Sequence, residues 1–105
     1  MTKPRLPRES TIQAAIIREL RAQGAYVIKA HQAGMGAAGT PDLLACLHGK
    51  FVAIEVKRPG KHPTKLQAAR LAEIRQAGGV TIVADSVDDL LCLLRVDANL
   101  VAKPS

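Results

Sequence analysis

The sequence predicts an α/β domain in which helices flank a mixed β-sheet, in the order α-β-β-β-α-β-α. Three observations support this fold class. Segments with helical periodicity alternate along the 105 residues with short segments rich in Val and Ile. Two neighbouring strands are separated by only three residues, which is typical of an antiparallel hairpin. A helix-length segment then precedes the last strand and provides enough chain for a parallel crossover.

The first helix is predicted over residues 8–23, because apolar residues recur every four positions between residues 12 and 20. Gly24 is a suitable helix stop. Residues 25–30 are predicted as a short strand, since they are mostly apolar and include Val and Ile. The glycine-rich residues 31–40 follow as a loop, which we interpret as a flexible approach to the next strand.

The central hairpin is predicted from two strands, residues 42–47 and residues 51–57. A second helix is expected over residues 64–77, with a threonine at its N-cap and two glycines after its end. A fourth strand over residues 80–84 and a third helix over residues 86–94 complete the pattern. The central pair is expected to be antiparallel, whereas the last strand can join the sheet in parallel.

The length fits one domain, which we expect to span residues 8–95. Residues 1–7 contain two prolines and are predicted to be a flexible tail, and residues 96–105 are left unassigned. The cysteines, Cys46 and Cys92, lie in separate apolar stretches and are expected to be reduced and buried.

The composition excludes several classes of protein. Aromatic residues make up only 2% of the chain, which argues against an RNA-binding sheet that stacks bases on aromatic rings. The longest apolar runs are four to six residues, far short of the ~20 needed to cross a bilayer. The basic N-terminus is not followed by an apolar signal segment, so we expect a cytoplasmic protein.

The charge distribution favours a polyanionic partner. The formal net charge is +6, and residues 1–80 alone hold thirteen bases and five acids. Residues 81–105 hold two bases and four acids, so the basic character is concentrated in the first three quarters of the chain. Nucleic acid is the commonest partner of such a surface.

Two acids are predicted to face each other across the hairpin. If His48 and Gly49 form a two-residue turn, the register places Asp42 opposite Glu55. Side chains in opposed positions have Cβ atoms about 4.5–5.5 Å apart, and like charges there repel each other. A divalent cation such as Mg²⁺ would relieve the repulsion. A turn of three or four residues would change this register, and a shift of one residue separates the two side chains.

Glu55 shares a strand face with Lys57, because residues two apart point to the same side. The apolar residues Val52, Ile54 and Val56 occupy the opposite face and are expected to form the core. Glu55 and Lys57 are therefore expected on a solvated face. A lysine beside a metal site can orient water and stabilise charge on a phosphate, although a surface lysine would fit the same position.

Glu9 is a third candidate acid. It lies three positions before Ile12 and seven before Ile16, on the helix stripe predicted to face the core. An interaction with the helix dipole would also explain an acid at this position. The phosphate contacts are expected from basic side chains near these acids: Arg8, His31, Arg58, Lys61 and Lys65.

The ordered set of these residues resembles the PD-(D/E)xK nuclease signature. The matching parts are Gly-Thr-Pro-Asp at residues 39–42 and Glu-Val-Lys at residues 55–57. With Glu9 on the first helix and Gln67 near the start of the second, the pattern is most similar to the VRR-NUC family of virus-type replication-repair nucleases. The resemblance spans residues 8–95.

The resemblance implies a restriction-endonuclease-like three-layer core and hydrolysis of phosphodiester bonds with Mg²⁺ or Mn²⁺. Carried over residue by residue, it assigns the metal to the carboxylates of Asp42, Glu55 and Glu9. The backbone carbonyl of Val56 would be a further ligand. Lys57 would be the catalytic lysine. Gln67 matches the family's glutamine and would lie at the edge of the site, orienting a ligand or contacting a phosphate.

Stand-alone family members, including phage-type ones, tend to be homodimers that act on branched DNA such as four-way (Holliday) junctions in DNA repair. The resemblance therefore implies a structure-selective endonuclease with DNA as its partner, and neither a membrane nor a small-molecule cofactor. Three alternatives stay open. The chain could be a non-catalytic basic DNA-binding module, an accessory subunit that needs a partner, or a flap-cutting or nicking nuclease of the same fold.

Overall fold

The computed structural model describes residues 6–32, 34 and 36–98, and its elements follow the predicted order. The elements are α1 (Glu9–Ala22), β1 (Tyr26–Lys29), β2 (Leu43–Leu47), β3 (Lys50–Val56), α2 (Lys65–Gln76), β4 (Val80–Ala84) and α3 (Val87–Leu93). A π-helical turn, Leu94–Ala98, continues α3. Most of the predicted tail, residues 1–7, and most of residues 96–105 lie outside the described residues.

The four strands form one mixed sheet in the order β1-β2-β3-β4. β1 and β3 are each antiparallel to β2, whereas β3 and β4 are parallel and joined through α2. This arrangement confirms the predicted combination of an antiparallel hairpin and a parallel crossover.

The hairpin between β2 and β3 closes through a two-residue turn. His48 and Gly49 have φ angles of 50° and 79°, the left-handed values that a type I′ turn requires at both positions. Leu47 therefore pairs with Lys50, and the ladder continues to Leu43 opposite Ile54. The predicted register is confirmed along the whole of β2.

The hydrophobic core lies between one face of the sheet and the helices α1 and α3. Four residues of α1 are buried there, as are Leu90 and Leu94 at the other end of the chain. The strands supply alternate residues to the same face, as the period of two requires: Val27, Leu43, Ala45, Leu47, Val52, Ile54, Val56, Ile82 and Ala84.

The second face of the sheet is covered only in part. Helix α2 packs against β4 on this face, and Leu71 of α2 is buried. Beneath α2 the inner strand β3 is buried on both faces, so that Ala53 and Glu55 are 0% and 1% exposed. The expectation that Glu55 lies on a solvated face was wrong, because α2 covers that half of the sheet.

Both cysteines are free and exposed, so the expectation that they are buried was also wrong. Cys46 belongs to the half of the second sheet face that α2 does not cover. Cys92 lies on α3 and points away from the core. None of the described helices is long and apolar enough to span a membrane.

Candidate active site

Asp42 and Glu55 meet at the end of the sheet where β2 begins and β3 ends. The Asp42 carboxylate oxygen Oδ2 accepts a hydrogen bond of 2.9 Å from the backbone N–H of Val56. The Asp42 carbonyl oxygen accepts a second bond, of 3.0 Å, from the N–H of Ala30, the residue after β1. Asp42 is therefore fixed to the strands on both sides of β2. The confirmed hairpin register brings Glu55 next to it.

Glu55 is a buried carboxyl group with an unsatisfied oxygen. Its Oε2 atom is buried and has no hydrogen-bond partner among the described residues. The pKa of Glu55 is raised from 4.5 to about 8, chiefly by burial and to a smaller extent by a hydrogen bond to Asp42 and by the negative charges of Asp42 and Glu9. The positive charge of Lys57 acts in the opposite direction and lowers this pKa.

The two residues that follow β3, Lys57 and Arg58, are basic, and the charge of Lys57 acts on Glu55. Lys57 is half-buried, and its backbone N–H donates a 3.1 Å hydrogen bond to the carbonyl of Ala84, which extends the β3–β4 ladder by one residue. Arg58 is also half-buried, and its Nε atom is buried without a hydrogen-bond partner among the described residues. A buried guanidinium N–H without a partner is suited to binding an anion.

Glu9 begins the apolar stripe of α1. It is the first residue of the helix and is exposed, whereas Ile12, Ile16 and Leu20, which follow it on the predicted stripe, are buried. Its charge still contributes to the raised pKa of Glu55, because the N-terminus of α1 lies at the same end of the sheet. In the described part of the chain, no three acidic, histidine or cysteine side chains are grouped closely enough to hold a metal ion.

Gln67 has a structural partner that the sequence argument overlooked. Its side-chain Oε1 accepts a 2.9 Å hydrogen bond from the N–H of Thr64, and the Thr64 hydroxyl accepts a 3.2 Å bond from the N–H of Gln67. Together these bonds form a capping box at the start of α2. The pattern Thr-x-x-Gln was present in the sequence and would have indicated this cap.

The remaining predicted phosphate-binding residues are on the surface. Arg8, His31, Lys61 and Lys65 are exposed. Lys61 belongs to the loop between β3 and α2, in which its N–H donates a 3.0 Å hydrogen bond to the Arg58 carbonyl. Lys65 is the first residue of α2, so this loop and the start of the helix present basic side chains beyond the end of β3.

The loop before Asp42 is anchored on α2, a contact that the sequence did not predict. The Arg70 Nε donates a 3.3 Å hydrogen bond to the carbonyl of Ala38. Gly39 has a φ of +80°, and a Cβ atom there would lie 2.7 Å from the Leu66 Cγ. Only glycine fits such a close approach in this conformation. The second half of the loop is thus packed on α2, where the sequence had suggested a flexible approach.

Comparisons with known proteins agree on the kind of domain that bears this site. Residues 8–92 match the family model described as archaeal Holliday junction resolvase (Hjc). A phage protein named "Putative nuclease p44", from Acyrthosiphon pisum secondary endosymbiont phage 1, is 36% identical over 85 residues, which cover 80% of this chain and 89% of that protein.

Two solved structures described as VRR_NUC domains are also similar. One has a TM-score of 0.72 at 26% identity, and the alignment covers 85% of this chain and 96% of that chain. The other has a TM-score of 0.68 at 22% identity, with 91% and 92% covered, and shows likeness of fold alone. The three-layer α/β architecture is therefore common to all three chains.

Proposed function

Because this chain belongs to the archaeal Holliday junction resolvase family and has the VRR-NUC fold of the PD-(D/E)xK nucleases, we propose that it is a metal-dependent endonuclease for branched DNA. The family resemblance and the restriction-endonuclease-like fold expected from the sequence are confirmed. The observation that supports the activity most directly is the pairing of half-buried Asp42 with buried Glu55, one of whose oxygens is left unpartnered.

The acid pair fits a divalent cation. Buried carboxylates are costly unless they are paired or bind a metal, and the unpartnered Oε2 of Glu55 leaves such a ligand position available. Mg²⁺ and Mn²⁺ prefer oxygen ligands. Asp42, Glu55 and the Val56 carbonyl would hold the ion, with Glu9 contributing through water. When bound, the ion would supply Lewis-acid activation of the attacking water and the scissile phosphate.

The roles that we propose for the basic residues follow from their positions after β3. Lys57, whose charge already acts on Glu55, positions the attacking water and stabilises negative charge on the phosphate. Arg58 offers its unpartnered Nε–H to a phosphate oxygen. Lys61, Lys65, Arg8 and His31 contact the backbone farther from the reacting bond. Gln67, whose side chain takes part in the cap of α2, would orient a ligand or contact a phosphate from the edge of the site.

Such contacts favour DNA shape over DNA sequence, because phosphate groups carry no base information. Four-way junctions are the substrate that the family membership favours. We place the nuclease domain at residues 8–95 and the protein in DNA repair in the cytoplasm of a bacterial or phage-infected cell.

A homodimer would give the two cuts that a junction needs, and the uncovered half of the second sheet face supports one. Tyr26, Cys46 and Phe51 are paired across β1, β2 and β3 and form a row on that face. Tyr26 is 73% exposed and Phe51 is 48% exposed. An exposed apolar patch of this kind is typical of an interface, so we propose that two copies associate through this row.

A cleavage assay tests the proposed activity. End-labelled four-way junction, flap, linear duplex and single-stranded DNA are incubated with Mg²⁺, Mn²⁺ or EDTA. We expect metal-dependent cutting of the junction that Asp42→Asn and Lys57→Ala abolish. Matched surface variants, Asp88→Asn and Lys50→Ala, should cut like the original protein, because both residues are exposed and lie away from the site.

The other outcomes separate the alternatives. Preferential cutting of flaps or nicking of linear duplex would keep the acid pair as the site and change the substrate. Tight DNA binding without cutting in either metal would contradict the enzyme and leave a DNA-binding module. Cutting that appears only after a partner protein is added would identify an accessory subunit.

A further inference from the structure

A groove lies between α1 and the edge strand β1 in the described part of the chain. Its volume is about 660 Å³. Its charged lining residues are Arg18, Arg21 and Lys29, and no acid among the described residues lines it. Ile17 and Val27 contribute apolar surface. We call this feature the α1–β1 groove. It shares no residue with the site described above.

The basic side chains of the groove are not neutralised by neighbouring acids. The salt bridge found among the described residues joins Arg70 to Glu73 on α2, and no carboxylate pairs with the three groove residues there. Arg18 and Arg21 are exposed, and Lys29 is half-buried. Three unpaired cations around one groove favour an anionic ligand.

The edge strand adds hydrogen-bond donors. The N–H of Ala30 donates a hydrogen bond to the carbonyl of Asp42, so the backbone groups of Ala30 point toward β2. Along an antiparallel strand, successive residues direct their N–H and C=O groups alternately toward and away from the partner strand. The backbone groups of Val27 and Lys29 therefore point away from β2. These groups face the free edge of the sheet along the groove. Backbone N–H groups are common ligands of phosphate oxygens.

One end of the groove lies beside the acid pair. Lys29 pairs with Leu43, the residue after Asp42, and neighbouring strands are about 4.8 Å apart. Gln32, which also lines the groove, follows the end of β1. The other end is marked by Arg21 in the last turn of α1. The groove therefore runs along β1 from the acid pair toward the opposite end of the sheet.

We infer that the α1–β1 groove binds the sugar-phosphate backbone of a nucleic acid strand that extends away from the acid pair. The inference rests on the proposed function, because it takes the acid pair to be the place where a phosphodiester is bound. An extended peptide could also use the free strand edge. The nucleic acid is favoured because the groove begins beside the proposed phosphodiester site and is lined by three unpaired cations.

The test measures DNA binding with a double variant, Arg18→Gln with Arg21→Gln. A fluorescent four-way junction is titrated in EDTA, where no cleavage occurs, at several salt concentrations. We expect roughly tenfold weaker binding, and a salt dependence of log K reduced by about two, one for each lost phosphate contact. A matched double variant, Lys50→Gln with Arg95→Gln, removes the same charge from exposed positions outside the groove and should change binding much less.

Junctions with shortened arms sharpen the test. When the arms are too short to reach along β1, the groove variant and the original protein should bind the junction with equal affinity. Equal binding of long-armed junctions by the two double variants would overturn the inference. A changed molar mass of the groove variant in light scattering would also overturn it, since a second copy would then occupy the groove.

The proposed function and this inference fail in different ways. If the original protein binds through the groove but cuts no substrate with either metal, the nuclease proposal fails and the inference stands. If the junction is cut and both double variants bind it equally, the inference fails and the nuclease proposal stands. If the original protein neither binds nor cuts DNA, both are wrong.

Discussion

Glu55 combines two properties that conflict in an ordinary protein interior. It is 1% exposed, and one of its oxygens has no partner among the described residues. Neighbouring acids, Asp42 and Glu9, make its ionisation still less favourable, and Lys57 offsets this only in part. Such a group lowers the stability of the folded chain whenever it must be charged. We interpret this cost as the consequence of keeping a ligand position available.

The first prediction concerns pH. The pKa of Glu55 is raised from 4.5 to about 8 in the folded state, so the unfolded chain releases the proton at lower pH. The contribution of Glu55 to stability is therefore complete below pH 4.5 and is lost as the pH rises toward 8. Because one pKa unit corresponds to about 1.4 kcal/mol, the loss should be a few kcal/mol.

Urea unfolding of the metal-free protein between pH 5 and pH 8 measures this loss. The comparison that isolates it is the difference in free energy of unfolding between Glu55→Gln and the original protein. This difference should favour the variant increasingly as the pH rises, whereas Asp88→Asn should show no such trend. A constant difference across the range would contradict a raised pKa.

The second prediction concerns metal addition. At pH 8, Mn²⁺ or Mg²⁺ should raise the Tm of the original protein, because the ion neutralises the acid pair in the folded state only. An ion present at 100 times its Kd stabilises by about 2.7 kcal/mol. Calorimetry with and without EDTA measures the shift. Asp42→Asn and Glu55→Gln should each lose it, and a shift that survives both substitutions would place the ion elsewhere.

Helix α2 connects the two halves of the candidate site. Its capping box fixes the start of the helix just after the basic loop. Its first two turns then receive the loop that leads into Asp42, through the Arg70 hydrogen bond and the close approach of Gly39. We therefore expect changes at this contact to affect Asp42, because the contact holds the loop that leads into it.

Gly39→Ala tests this connection, and Gly49→Ala is its matched control. Both glycines have positive φ, of +80° and +79°, but only the Gly39 Cβ position is obstructed, by Leu66 and Arg70. The free energy of unfolding of the control should fall by about 1–2 kcal/mol, because alanine disfavours the left-handed conformation. The free energy of unfolding of Gly39→Ala should fall by at least about 1 kcal/mol more, because the loop must move to accommodate the Cβ atom. It should also reduce junction cleavage at temperatures where both variants are folded. Equal activities would mean that the loop contact does not position Asp42.

Most of the elements were predictable because their signals are local. The four-residue period of α1, the Thr64 cap and the short spacing around His48 and Gly49 each act within a few residues, and the last of these determines the hairpin register. The burial of Glu55 was not predictable in this way, since it depends on α2 covering β3 from elsewhere in the chain. The exposure of Cys46 has the same origin, because α2 leaves the other half of that face open.

The site itself could be predicted only as a set of residues. The register brought Asp42 and Glu55 together from the sequence alone, whereas the position of Glu9 relative to them depends on where α1 packs. The cap that engages Gln67 follows from a local pattern that was overlooked. The contact between Gly39 and α2 joins segments far apart in the chain, and no local pattern indicates it.

The part of the chain that the structure describes presents two surfaces of different character. The basic loop and the α1–β1 groove account for much of the net charge of +6, whereas the uncovered sheet face around Tyr26 and Phe51 is apolar. A charged surface for DNA and an apolar surface for a second copy are compatible, since they use different parts of the sheet.

Phe51→Asp tests the proposed dimer. A charge in the apolar row should disfavour association, so light scattering should report a monomer where the original protein is a dimer. Cys46, in the same row, should react slowly with a thiol reagent in the dimer and quickly in the variant. Cys92 is exposed on α3 and serves as the internal reference. A dimer that persists in Phe51→Asp, with Cys46 equally reactive in both proteins, would rule out this face.

The hydrogen bond between the Asp42 carboxylate and the Val56 N–H spans only 14 positions, and the whole interval is a hairpin closed by two residues. Whether the two acids face each other thus depends on the number of residues between them as much as on the residue types. A single insertion or deletion in the turn would reverse the face on which Glu55 lies, whereas substitutions there would leave the count intact. During evolution, the length of this hairpin should therefore be under stronger constraint than the composition of its turn.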